Sequence, residues 1–178
     1  MNTKILRITR TAIFMALLLV LHAAAAPLGN IIAGSIVNLI LIVSVMTCGL
    51  ASGLSVAVIS PVMAKFFGIG PLFFLMLFIA GGNIVLVLLW HFIGSRHTTR
   101  KYTAYFTAMV SSATAKLLAL YIGNIKIALP LFWRLPEQQT SVISDMFSIS
   151  QFVTALTGGI LSIILLSTLK KAMGERRG

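Results

Sequence analysis

Three lysines sit within apolar stretches: Lys65, Lys116 and Lys126. An ionisable group in such surroundings usually faces a bundle interior or a cavity. Lys65 and Lys126 lie near the ends of their stretches, where a long stem can carry the ammonium to lipid headgroups. Both the snorkelling and the functional reading stand for them. Lys116 differs, because it lies about 14 residues into its stretch, roughly 20 Å from the inner end at the helical rise. No Asp or Glu lies within an apolar stretch to pair with it. Two kinds of partner would satisfy its ammonium: carbonyl dipoles of a neighbouring helix, or an anion brought by a ligand. The second makes Lys116 substrate-facing and points to a small molecule with an acidic or strongly accepting group.

Other polar residues can line the same space. Asn83 lies mid-stretch beside Gly81 and Gly82, and Asn38 lies in an earlier stretch. Gln151, Thr154, Gly158 and Ser162 share one helical face at about 100° per residue. Small and hydroxyl residues also mediate ordinary helix packing in lipid, so the convergence of Asn83, Lys116, Gln151 and Thr154 is the informative point. The aromatics Phe132, Trp133, Phe147 and Phe152 suit either a cover over a ring-shaped ligand or interface anchors. His22, His91 and His97 lack the H-x-x-x-H spacing, so no metal site is expected. The lone Cys48 reads as a small buried hydrophobe. There is no G-x-S-x-G, H-E-x-x-H, P-loop or dinucleotide fingerprint. The three acids, Glu137, Asp145 and Glu175, all lie outside the apolar stretches. Enzymatic activity, a bound cofactor and ATP binding by this chain are therefore not expected, and uphill transport needs energy from a partner.

The elements that must position these residues follow from composition. The chain has 178 residues, 58% hydrophobic and 10% charged, with a mean hydropathy of +1.03. Soluble domains carry about 25% charged residues, so too little polar material exists to clothe a surface in water. A span needs about 20 apolar residues. The pattern predicts an all-α integral membrane protein, a six-helix bundle in one domain over 1–178. The spans are expected near 5–26, 31–50, 52–67, 71–94, 102–129 and 148–169.

The net charge of +11 comes from fourteen Lys and Arg against three acids. Ten of the fourteen cluster at Lys4, Arg7 and Arg10, at Arg96, Arg100 and Lys101, and at Lys170, Lys171, Arg176 and Arg177. With six spans and a cytoplasmic N-terminus all three clusters fall inside. The loops assigned outside hold only Arg134, as the positive-inside rule requires. Basic residues at span ends mark topology, whereas nucleic-acid binding needs a basic stripe on a soluble face. A basic start, an apolar stretch and Ala23–Ala26 also resemble a cleavable signal peptide, but removing that segment would spoil the charge asymmetry. The stretch from Pro130 to Phe147 reads as either a lid or a solvated connector.

Span one carries Ala12-Ile13-Phe14-Met15-Ala16, with Ala23 near the same face. Small residues at i and i+4 let another helix approach closely. That A-x-x-x-A motif, in the first of six spans of a small basic chain, resembles the S subunits of energy-coupling factor (ECF) transporters, prokaryotic vitamin importers of the cell membrane. Arg10-Thr11-Ala12 opening span one, Gly49-Leu50-Ala51-Ser52-Gly53 as a tight turn, and Ser60-Pro61 through Gly68-Ile69-Gly70-Pro71 with Gly82-Asn83 strengthen the likeness. The resemblance implies high-affinity substrate binding in an outward pocket formed by the first loop and spans four to six. It implies docking through Ala12 and Ala16 onto a transmembrane coupling subunit that carries two ATPase subunits. It makes Pro27–Ile32 a gating loop, and Asn83, Lys116, Gln151 and Thr154 pocket candidates. The pocket patterns of riboflavin-, thiamine- and biotin-type subunits are not seen here. The alternative is a stand-alone secondary transporter or channel, which usually shows inverted repeats and broken helices; Pro61 is its only hint.

Overall fold

A computed structural model describes residues 3–66, 68, 75–95, 101–128, 141, 144–145 and 147–175. The expected loop residues Phe132, Trp133, Arg134 and Glu137, the basic residues Arg96, Arg100, Arg176 and Arg177, His97, and the start of span four at Pro71 lie outside these. Among the described residues every regular element is helical. The order is α1 (Thr3–Ala25), α2 (Asn30–Cys48), α3 (Leu50–Phe66), α4 (Leu75–Leu89), α5 (Lys101–Leu120) and α6 (Ile149–Glu175). A π-helical turn continues α4 through Trp90–Gly94, and another continues α5 through Tyr121–Ala128.

Five of these helical stretches are long and apolar enough to cross a bilayer, and α3, at 17 residues, is a shorter apolar helix. In lipid the backbone must satisfy its own hydrogen bonds, which is why helices are the solution here. Pro61 lies inside α3. It has no N–H to give the carbonyl of Ala57, a loss that membrane helices tolerate.

Two expected turns are tighter than the sequence suggested. Only Gly49, at φ 88°, breaks the chain between α2 and α3. Leu50 to Gly53 are already helical, and a Cβ on Gly53 would press on Val45 and Val87. The glycine that looked like turn chemistry is a packing glycine. Likewise, the connection after α1 is a 3-10 turn at Ala26–Leu28 closed by Gly29 at φ 103°. Asn30, Ile31 and Ile32 of the expected gating loop belong to α2. The last helix also runs past the expected end, to Glu175.

These two short reversals make α1 and α3 parallel. Thr11 on α1 donates to Ser52 on α3 at 2.8 Å, which sets their register. α2 packs against α1, α3, α4 and α6, while α5 packs on α4 and α6. The half of the bundle near the chain termini is solid, filled by Leu41, Val45, Val56, Leu86, Trp90 and Tyr105. The Trp90 and Tyr105 rings lie 6.1 Å apart.

Helices α2 and α6 approach closely. A Cβ on Gly158 would come within 2.7 Å of the Ser35 carbonyl oxygen and of Asn38 Cβ. Small residues are the usual means of such approach in membranes. Gly158→Ala should therefore lower the thermal unfolding temperature of the detergent-purified chain, at a cost of about 1–3 kcal/mol for overpacking. Gly81→Ala should not, since nothing lies within 4 Å of that position. Equal losses at both sites would contradict this packing.

Candidate functional site

The half of the bundle away from the termini is hollow. A cavity of about 210 Å³ opens there. All six helices contribute: Leu18 and His22 from α1, Asn30 to Val37 from α2, Ser60 to Lys65 from α3, Met76 to Asn83 from α4, Lys116 from α5 and Gln151 from α6, with Phe147 just before it. Helices α1, α2 and α3 thus supply more than half of the lining residues. That departs from the expected pocket of first loop plus spans four to six, because three short-linked helices place their ends around one opening.

Lys116 forms the floor. Its side chain is 3% exposed. Its Nζ donates to Asn38 Oδ1 at 2.6 Å and to Asn83 Oδ1 at 2.8 Å. Asn38 and Asn83 each lie about 12 Å below the start of their helices at the standard rise, so α2, α4 and α5 bring three polar side chains to one depth. The ammonium has only donors, so it fixes both amides with their oxygens inward.

The network continues into α6. Asn38 Nδ2 donates to Thr154 Oγ1 at 3.3 Å, and Thr154 donates on to the Gln151 carbonyl at 3.0 Å. Each bond in such a chain polarises the next. Gly34 makes room for it, since a Cβ there would strike Thr154.

The structure thus brings Lys116, Asn83, Gln151 and Thr154 together, in two ranks. Lys116, Asn83 and Gln151 line the cavity, while Thr154 stands behind Asn38 as its anchor. Phe147 is buried and lines the cavity, whereas Phe152 is partly buried against the core instead. Lys65 also faces the cavity. A helix-end lysine gives the same sequence signal whether it snorkels or rims a pocket. Lys126 is on the exterior, 5.8 Å from the centroid of the Tyr121 ring.

None of the described lining residues is acidic. Two amide oxygens hold the Lys116 ammonium without neutralising it. An ammonium with a spare donor, a second lysine and an apolar wall suits an anion-bearing small molecule.

At the other end of the bundle, Ala12 and Ala16 are exposed on α1. Ala12 lines a shallow groove between α1 and α3, walled by Arg7, Thr11, Met15, Ala51 and Ser55. Exposed Ile5, Ile8, Ile13, Leu17 and Val20 share α1. His91 stacks edge-on against Phe92 at that end, far from His22.

An all-helical, multi-pass membrane protein with a largely apolar pocket that carries a few polar groups is built to hold a small solute. The family model for the ECF transporter substrate-specific component matches residues 6–169, and the chain belongs to that family. Members of the family are substrate-binding subunits of transporters. No curated protein and no solved structure matches.

Lys116 and Asn38 should be energetically coupled. Asn38→Leu should destabilise the chain by about 1.5–3 kcal/mol, the range for a hydrogen bond to a charged group. Adding Lys116→Met should recover part of that loss, because the ammonium no longer needs an acceptor. Strict additivity of the two changes in thermal unfolding would contradict a shared network.

Proposed function

We propose that this chain is the high-affinity substrate-binding subunit of an ATP-driven ECF importer for a vitamin or other small nutrient with an acidic or strongly accepting group. The observation that carries the reading is the buried Lys116 ammonium, held by neutral amide oxygens at the floor of a cavity with no carboxylate among its described lining residues. Lys116 and Asn83 contact the ligand, Gln151 borders it, and Thr154 orients Asn38.

The chain is one transmembrane domain over 1–178 with six spans and both termini cytoplasmic. Clustering of basic residues at the termini end supports this orientation, and it turns the cavity outward. At 17 residues α3 meets the lower end of the spanning range. Ala12 and Ala16 dock onto a transmembrane coupling subunit that carries two ATPase subunits. The exposed small-residue face of α1 supports that role.

Native mass spectrometry of the chain purified from its host should show a bound small molecule on the wild type. Lys116→Met should lose it, since losing a charged hydrogen bond lowers affinity by about ten- to a hundredfold. Equal occupancy in the variant would remove Lys116 from the site. In the same host, Ala12→Trp should abolish co-purification of the coupling subunit while leaving the small molecule bound. A chain that drives uptake alone in vesicles, under an ion gradient, would instead be a secondary transporter.

A further inference from the structure

The Lys116 pole explains one side of the cavity. On the opposite wall, α1 and α3 present polar atoms that no described residue bonds. Ser60 is 2% exposed, and its Oγ has no hydrogen-bond partner. His22 Nδ1 is also buried and unpartnered. Both residues line the cavity.

The state of Ser60 is unusual within this molecule. Ser35, Ser55 and Ser162 each return their hydroxyl to the carbonyl one turn earlier, at 2.6–2.9 Å. Such back-bonding is the ordinary way a helical serine is satisfied in an apolar setting. Ser60 forgoes it. A buried polar atom left unpaired costs about 1–3 kcal/mol, so two on one cavity wall, with no partner among the described residues, suit a hydrogen-bonding group in the cavity.

Their heights match a single contact. The Thr11–Ser52 hydrogen bond fixes the parallel register of α1 and α3. Counting 11 residues on to His22 and 8 on to Ser60 separates them by about 4.5 Å along the axis. Much of the remaining lining is apolar, including Leu18, Val37, Met76 and Ile79. A neutral imidazole donates from one nitrogen and accepts at the other, and a serine hydroxyl does both. Together they can take a hydroxyl or a ring carbonyl.

We infer that the cavity selects a two-ended ligand: an acid group on Lys116, a compact apolar body, and a hydrogen-bonding group received by Ser60 Oγ and His22 Nδ1. This rests on the reading of the cavity as the substrate site. The second pole gives specificity, because an analogue lacking that group leaves both protein atoms unpaired.

Three ring carboxylates test it: 4-hydroxybenzoate, its near-isostere 4-methylbenzoate, and benzoate, titrated calorimetrically into the purified full-length chain. The wild type should bind 4-hydroxybenzoate about tenfold more tightly than 4-methylbenzoate. Ser60→Ala should erase that preference, leave 4-methylbenzoate affinity in place and leave thermal stability unreduced, since no internal bond is lost. Lys116→Met should weaken all three alike. A preference absent in the wild type, or one surviving both Ser60→Ala and His22→Leu, overturns the second pole. Binding of none of the three overturns the two-ended carboxylate class. Undiminished binding to Lys116→Met, with the Ser60 preference intact, sinks the anion anchor and not the second pole.

Discussion

A cation enclosed among helices, with no carboxylate among the described residues that line its cavity, constrains this molecule more than any other feature. Lys116 is almost fully buried, so the protein must supply acceptors. It supplies two amide oxygens, from Asn38 and Asn83, on helices that run down from the opposite end to α5. A carboxylate would have neutralised the charge and closed the site. Amides hold the ammonium in place and leave its charge to act on whatever enters. Asn38 is fixed in turn by Thr154, so the position of one ammonium is tied to the packing of α2, α4, α5 and α6.

That packing divides the bundle. Near the termini, Trp90, Tyr105 and branched aliphatics fill the interior; toward the other end the helices surround the cavity. The approach of α2 and α6 through Gly34 and Gly158 places Asn38 against Thr154. A bulkier pair of residues there would widen the gap and break the relay. Helix α1 is held differently. It packs on α2 and α3 and leaves much of its apolar surface exposed. The cavity takes Leu18 and His22 from the later part of α1, and the exposed Ala12 and Ala16 lie earlier on it, so solute and partner engage different parts of the fold on the proposed reading.

Much of this was legible in the sequence because lipid imposes a simple rule. Apolar stretches of spanning length must be helices, and a lysine deep in one must find acceptors. That rule singled out Lys116, and the sparse intramembrane amides and hydroxyls supplied Asn38, Asn83, Gln151 and Thr154. The misreadings have a physical origin too. Gly53 resembled a turn residue because a glycine needed for close approach to Val45 and Val87 looks, in one dimension, like a glycine needed for positive φ. Asn30 to Ile32 passed for a loop because Pro27 within and Gly29 after a three-residue turn look like the start of a longer one. Ser60 and His22 were not chosen, since an unpaired hydroxyl is a property of three-dimensional surroundings. Lys65 was ambiguous because a helix end is also the rim of a pocket.

The most direct test is the structure of the purified chain with the small molecule that copurifies with it. The anionic or strongly accepting group should lie within hydrogen-bond distance of Lys116 Nζ, with Asn38 and Asn83 still holding the ammonium from behind. A ligand seated elsewhere in the bundle, with the Lys116 environment unchanged, would contradict the central claim.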